Sequence, residues 1–398
     1  MSTPAPAHSG APSLGTVIRE WGRIGCIGFG GPPAHIRLLR QLCVERRKWI
    51  GATDFEDAIA ACNLLPGPAS TQLAIYCASR VRGWLGALAG GAAFIVPGLI
   101  VILALAALFL ESSPPRWVLA SGAGAGAAVA AVALQAGVSL VPASWQRRRS
   151  GLRWVLYAAA GALAAATIGP WLVVVLLACG ALELGIEAAE TLNRDSALGI
   201  PLLAAVPFLG TPTVAAGGIA VGSLAALCWV ALKVGALSYG GGFVIIPLMQ
   251  ADAVSGYHWM SDAQFLNAVA LGQITPGPVV QTVAVVGYAV AGIPGGILAS
   301  LVAFSPSFAF VLIGAERFDR LRGNAAARAF LDGAGPAAIG AILGSAIPLA
   351  MALTQGWQFA ILAVGVVLLL ARRGVVTTLL AAAGAGVVCV FAGLPLPR

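Results

Sequence analysis

Two short stretches of this chain combine a helix breaker with hydrogen-bonding side chains. One reads Leu65-Pro66-Gly67-Pro68-Ala69-Ser70-Thr71-Gln72, the other Thr275-Pro276-Gly277-Pro278-Val279-Val280-Gln281-Thr282. Proline lacks a backbone N–H and clashes with the preceding helical turn, yet it is at home at the first position of a helix. Each Pro-Gly-Pro therefore predicts the end of one half-helix and the start of another. A new half-helix opens with free N–H groups and the positive end of its dipole. Such an end binds anions without a full charge. Ser70, Thr71 and Gln72 fall in the first turn after one break, Gln281 and Thr282 in the first turn after the other, and Thr275 adds a hydroxyl beside Pro276. Together they predict a small polar cage for an oxyanion, with recognition rather than bond-making as its chemistry.

Further groups compete for a place in that cage. Gly28-Phe29-Gly30-Gly31-Pro32-Pro33 matches Ser238-Tyr239-Gly240-Gly241-Gly242. These runs either line the cage with amides or let helices pack closely. Charged groups in apolar stretches are functional candidates by default. Lys233 precedes the second glycine cluster, Glu20 and Arg23 stand at the matching place in the first half, His35 follows the first cluster, and Arg80 and Arg82 follow the first half-helix. A dianion would be served by His35, Arg80 or Lys233. Arg37, Arg40, Arg46, Arg47 and Lys48 read as a cytoplasmic membrane-surface face. Asp54, Glu56 and Asp57 read as caps of the following helix ahead of a proton relay. Glu183 and Glu187 share one helical face and read as structural.

Other chemistries find little support. The seven cysteines are scattered with no CxxC pair, and three histidines are too few for a histidine metal site. Gly122-Ala123-Gly124-Ala125-Gly126 lacks the strand and spacing of a nucleotide loop, and no GxxxxGK[ST] occurs. The sequence predicts no cofactor, no metal and no catalysis.

The elements that position these residues are membrane helices. Of 398 residues, 59% are hydrophobic and 10% charged, with a mean hydropathy of +0.92. A soluble domain has about 45–50% apolar and about 25% charged residues. The net charge of +8 lies mostly in short loops, where it marks the cytoplasmic side rather than a nucleic-acid surface.

The chain also repeats. At an offset of 210 residues Gly25 meets Gly235, Gly30–Gly31 meet Gly240–Gly241, Trp49 meets Trp259, Phe55 meets Phe265, and the two Pro-Gly-Pro motifs coincide. At 209, Gly83 meets Gly292 and Pro97 meets Pro306. The charges do not repeat. Arg37–Lys48 faces a stretch with no Lys or Arg; Glu111–Arg116 faces Arg317, Arg320, Arg322 and Arg328; Arg147–Arg149 with Arg153 faces the uncharged Thr354–Gly356. Equivalent loops on opposite sides of the membrane are the mark of an inverted-topology repeat.

The expected fold is an all-α polytopic membrane protein of two inverted repeats with about 13 membrane segments. A flexible tail, 1–15, precedes a first repeat over 16–196. A linking segment over 197–220 supplies the extra crossing, and a second repeat covers 221–398. The broken helices bring Pro66, Gly67 and Pro68 opposite Pro276, Gly277 and Pro278 near the midplane.

These residues resemble the chromate ion transporter family in its long, two-domain form. The resemblance rests on Phe29-Gly30-Gly31-Pro32 with His35, on Trp49, Phe55 and Leu65-Pro66-Gly67-Pro68 with Thr71-Gln72. In the second half it rests on Tyr239-Gly240-Gly241-Gly242, Trp259, Phe265 and Gly272-Gln273 before Pro276-Gly277-Pro278. Thr275, where the family more often has Leu, and the extra Pro33 depart from the pattern. The resemblance implies export of chromate from the bacterial cytoplasm, with sulfate as a related oxyanion. An inner-membrane location is expected, and the loop charges with an odd number of crossings predict a cytoplasmic N-terminus and a periplasmic C-terminus. A negative-inside potential favours such export by about 2.3 kcal/mol per charge per 100 mV. For a dianion, that alone sustains a gradient of about three orders of magnitude, by uniport or proton antiport. The lipid bilayer and the anion are the expected partners, a homodimer is left open, and no nucleic acid is expected. The competing readings are a transporter of sulfate or another tetrahedral oxyanion, and a membrane-embedded chromate reductase.

Overall fold

The computed structural model describes residues 12–62, 65, 67–111, 113–167, 172–192, 219–238, 244–314 and 324–397. Helices dominate the described residues, and no strand occurs among them. In the first half, Ser13 caps α1 (Leu14–Ile27) through the amide of Thr16. After α2 (Pro32–Arg40), a π-helical turn (Gln41–Arg46) leads to α3 (Ala52–Cys62). The first break separates α3 from α4 (Ala69–Phe109), and α5 (Arg116–Ala127), α6 (Val129–Gln146), α7 (Gly151–Thr167) and α8 (Leu172–Leu192) follow. The second half runs α9 (Ile219–Leu237), α10 (Ile245–Gln250), a π-helical turn (Ala251–Gly256), α11 (Asp262–Ile274), the second break, and a 3-10 turn (Val279–Gln281). It ends in α12 (Thr282–Gly314), α13 (Ala325–Met351), α14 (Gly356–Leu370) and α15 (Val375–Phe391).

Among the described residues, five stretches are long and apolar enough to cross a membrane: Ala69–Phe109, Arg116–Gln146, Leu172–Glu190, Val279–Gly314 and Ala325–Met351. Ser223–Leu237, Gly356–Leu370 and Val375–Phe391 are shorter apolar helices. This is the build of a multi-pass membrane protein. Most of the linking segment expected over 197–220 lies outside the described residues.

The duplication extends to backbone torsions. Both π turns are followed by a residue at positive φ, Lys48 (51°) and His258 (54°). Inside α4 the helix breaks at Arg82 (φ −144°, ψ 25°) and Gly83 (φ 63°, ψ −156°). Inside α12 it breaks at Ala291 (φ −149°, ψ 31°) and Gly292 (φ 61°, ψ −151°). At both points the chain folds back. A Cβ placed on Gly90 would strike the Ala78 side chain, and one on Gly295 would strike the Gly287 carbonyl. In a straight helix residues 12 apart would be separated by about 18 Å. The stretches on either side of Gly83 in α4 are thus arms of one hairpin, as are those on either side of Gly292 in α12. The stretch from Arg116 to Gln146 is interrupted at Ala128, between α5 and α6.

Small residues set the helix crossings. Gly25 of α1 sits on the Phe94 carbonyl of α4, and Gly235 of α9 sits on the Ala303 carbonyl of α12. These are equivalent contacts in the two halves. The halves also interlock. Gly340 and Gly344 of α13 rest on Ala158 and Ala162 of α7, while Gly386 of α15 rests on Ala120 and Gly124 of α5. Each half's last hairpin packs on a helix of the other half. Van der Waals packing between small residues is what drives helix association in lipid. Phe55 and Phe265, equivalent in the repeat, are both fully buried.

Candidate functional site

The two breaks are linked through shared neighbours rather than by direct contact: the Gly28 carbonyl accepts the Gly277 amide of the second break, and His35 joins that carbonyl to Ser70 after the first. At the first, Gly67 adopts φ 118°, in the left-handed region that glycine tolerates. Pro68 (φ −74°, ψ 98°) then caps α4. Its carbonyl accepts the Thr71 and Gln72 amides at 2.9 and 3.0 Å, leaving the Ala69 and Ser70 amides at the open end of the helix. At the second break Gly277 adopts φ 97°, and the Pro278 carbonyl accepts the Gln281 amide at 2.9 Å. Pro66 lies outside the described residues, whereas Pro276 and Pro278 are buried.

Each break rests on the other half. The Gly277 amide donates to the Gly28 carbonyl at the end of α1, 3.1 Å away. A Cβ on Gly67 would run into the Gln72 carboxamide and approach both the Gly235 carbonyl and Ser307 Oγ. A Cβ on Gly98 would collide with the Pro276 carbonyl and with Gln281 Oε1. Gly98 and Ser307 are equivalent in the repeat, one residue after the matched prolines Pro97 and Pro306. The contacts between breaks and hairpins are therefore reciprocal. Gln281 Nε2 donates to the Ile95 carbonyl at 2.5 Å, which fixes the orientation of its carboxamide.

Polar atoms around the breaks are buried without partners. Thr71 Oγ1, Ser238 Oγ, Gln273 Nε2, Gln281 Oε1 and Ser307 Oγ each lack a hydrogen bond. Thr71, Ser238 and Ser307 are 0% exposed. Buried polar groups nearly always find partners, and an orphan costs about 1–3 kcal/mol. Four of the five can donate a hydrogen bond, Gln281 Oε1 being acceptor-only, and Thr71 and Gln281 lie in the first turns after the two breaks. Thr275 and Thr282 turn inward on their own turns, donating to Leu271 and Val279 carbonyls at 2.8 Å. Gln72 is fully buried beside Gly67.

His35 stands at the junction. Its ring is fully buried on α2, edge-on to Phe94 with centroids 5.0 Å apart. Nε2 lies 2.9 Å from the Gly28 carbonyl, the same oxygen that accepts the Gly277 amide, and Nδ1 lies 3.2 Å from Ser70 Oγ. A carbonyl only accepts, so Nε2 carries the hydrogen and Nδ1 accepts from Ser70. Gly31 caps α2 and approaches Val279 of the second break, while Gly30 is exposed.

The remaining expected cations lie apart from this set. Arg80 is exposed. Lys233 donates to Asp252 Oδ2 at 2.7 Å and lies over Trp229. In the first half the corresponding elements are joined by a pair of reversed polarity, with buried Glu20 on α1 and Arg47 after the π turn. Tyr239, Gly240 and Gly241 lie outside the described residues. Asp54 falls in the first turn of α3, and Glu56 pairs with Arg40. Glu183 and Glu187 pair with Arg153 and Arg149, and Asp332 joins them through Arg149.

Sequence reasoning named Ser238 only as part of the second glycine run, and it passed over Gly98 and Ser307 beside the breaks. Gly98 and Ser307 were visible as the residues after the matched prolines.

The chromate transporter family model matches residues 15–184 and 225–390, one stretch in each half. The chain belongs to the chromate transporter family. It is 33% identical over 386 residues to the chromate transport protein of Cupriavidus metallidurans, covering 94% of this chain and 92% of that one. It is 31% identical over 388 residues to the chromate transport protein of Pseudomonas aeruginosa, covering 92% and 89%. A probable chromate transport protein of Synechococcus elongatus is 31% identical over 349 residues, covering 85% of each chain. No solved structure matches the chain. Family membership agrees with a transporter built on apolar helices, and both matched stretches contain a break.

Proposed function

We propose that this protein is a secondary transporter that exports chromate from the cytoplasm across the inner membrane and so confers chromate resistance. The two halves have opposite topology, and a site between the Pro-Gly-Pro breaks opens alternately to each side. Ser70, Thr71, Gln72 and Ser307, with the amides after Pro68 and Pro278, hold the oxygens of a tetrahedral dianion, whereas Gln281 and Thr282 spend their donors on the Ile95 and Val279 carbonyls and act by shaping the second break. The observation that carries this reading is the group of buried, unpartnered donors near the breaks, Thr71 Oγ1, Ser238 Oγ, Gln273 Nε2 and Ser307 Oγ. Hydroxyls, carboxamides and backbone N–H groups together suit an anion stripped of water. The names of the relatives supply chromate as the first choice among tetrahedral dianions. The membrane potential supplies about 2.3 kcal/mol per 100 mV for each net negative charge moving outward.

The test is uptake of labelled chromate into inside-out vesicles holding the full chain. Saturable, potential-dependent uptake, poorly inhibited by a tenfold excess of sulfate, is the expected result. Sulfate uptake that ignores chromate would move the assignment to sulfate, the second reading, since a shared tetrahedral shape and charge leave little for geometry to separate. Chromium appearing as a reduced species without transport would sink the transporter reading.

A further inference from the structure

The hydrogen bonds of His35 bear on how a proton accompanies the anion. Its ring connects both breaks: Nδ1 accepts from Ser70 in the first turn of α4, and Nε2 donates to the Gly28 carbonyl that also holds the Gly277 amide. Ser70 is 2% exposed and His35 0%. A serine hydroxyl has one hydrogen to give. While that hydrogen serves Nδ1, Ser70 has none for an anion. An anion oxygen only accepts, so serving it leaves Nδ1 an orphan acceptor in a dry site.

We propose that His35 takes up a proton as a tetrahedral dianion binds at the breaks and releases it as the anion leaves, so that one proton travels with each dianion. This rests on the site reading above. On anion entry the Ser70 hydroxyl turns its hydrogen from Nδ1 to an anion oxygen. Nδ1 takes up a proton that reaches the site from the bulk solution and its buffer, and donates to Ser70 Oγ. Nε2 keeps its bond to Gly28. Exit reverses each change, and no covalent bond of the anion forms or breaks. The occupied site then carries one net negative charge from the dianion and the proton. At about 6 Å and an effective dielectric of about 20, two negative charges raise the proton affinity of a neighbouring ring by about four orders of magnitude.

Among the described residues no other charge competes for this role at the ring. α1 presents Gly28; its Glu20 pairs with Arg47, and its Arg19 and Arg23 are exposed. α4 presents Ser70 and Phe94. On α2 itself Arg37 is exposed and Arg40 pairs with Glu45 and Glu56. The second half has Ile245 at the equivalent position, so the device is single.

Calorimetric titration of the purified full chain with potassium chromate tests this. Near pH 7.5, where chromate is the dianion, two buffers of different ionisation enthalpy report protons bound per anion. We expect about one for the wild type and none for His35→Gln, whose carboxamide can still donate to Gly28 but does not titrate. Wild-type affinity should fall by up to about tenfold per pH unit above that point, and His35→Gln should be flat. Chromate binding by the wild type without proton uptake overturns the inference. Should His35→Gln fold poorly, Ser70→Ala takes its place: it keeps the ring, loses the hydroxyl that links the ring to the anion, and is expected to take up clearly less than one proton per chromate. Undiminished uptake in Ser70→Ala overturns the relay. No chromate binding by folded wild type overturns the site itself and this inference with it.

Discussion

At Thr71 and Ser307 a hydroxyl is fully buried and makes no hydrogen bond. Removing such an orphan should not weaken the fold, because the desolvation cost disappears with the group. If the hydroxyl holds an anion oxygen, its loss should cost about 1.5–3 kcal/mol of binding, a factor of about 10 to 150. Thr71→Val and Ser307→Ala are therefore expected to unfold at or above the wild-type temperature while their chromate affinity drops by at least about tenfold. A parallel loss of stability and affinity would instead mark the hydroxyls as packing. Gly98 offers the complementary case. Glycine to alanine inside a helix ordinarily stabilises by about 0.5–1 kcal/mol, and Gly185, exposed on α8 with nothing near its Cβ position, should follow that rule. At Gly98 the new methyl meets the Pro276 carbonyl and Gln281, so overpacking of about 1–3 kcal/mol opposes the gain. Gly98→Ala should lower chromate flux by about tenfold or more, with Gly185→Ala unchanged in the same vesicles.

Among the elements, α7, α8 and α13 are tied at one end by charge as well as by glycine packing. Glu183 of α8 is 4% exposed, accepts the Tyr157 hydroxyl at 2.8 Å and lies 3.5 Å from Arg153. Arg149 spans Glu187 and Asp332 at 2.8 and 3.3 Å. Partly exposed pairs contribute little, but a buried carboxylate stripped of its cation is expensive. Arg153→Met should destabilise by about 2–3 kcal/mol in a detergent unfolding titration. Adding Glu183→Gln should recover more than half of that, whereas strict additivity would show that the pair is not coupled. The elements also show what the sequence could and could not disclose. The breaks, the back-folding glycines and the paired tryptophans were legible, because a proline without an N–H or a glycine at positive φ has no substitute. The two π turns were not: of six aligned positions, Gln41–Arg46 and Ala251–Gly256 share only Val44 with Val254. Any residue type can supply a carbonyl, so the contacts that join the halves at Gly28 and Ile95 left no mark in composition or spacing. The same holds for Lys233, which looked free in the sequence because its partner Asp252 is brought to it by a π turn.

For the whole molecule, reciprocity constrains the symmetry. The first half's hairpin supports the second break through Gly98, and the second half's hairpin supports the first break through Ser307. Contacts exchanged in this way require an approximate two-fold axis between the halves. Such an axis can run along the membrane normal or lie in its plane, and only the second choice inverts the halves. The charge distribution separates the two. The loop from Arg147 to Ser150, between α6 and α7, is equivalent to Thr354–Gln355 between α13 and α14. The first carries three arginines and the second none. An axis along the normal would put both on one face of the bilayer, at odds with a strong asymmetry of positive charge. An axis in the plane puts them on opposite faces, the arginines inside. Single cysteines at Arg148 and Thr354, in a chain freed of its seven native cysteines, should therefore differ in intact cells. A membrane-impermeant thiol reagent is expected to label Thr354→Cys directly and Arg148→Cys only after permeabilisation. Labelling of both from the same side would place the axis along the normal, and alternating access by inverted halves would no longer describe this transporter.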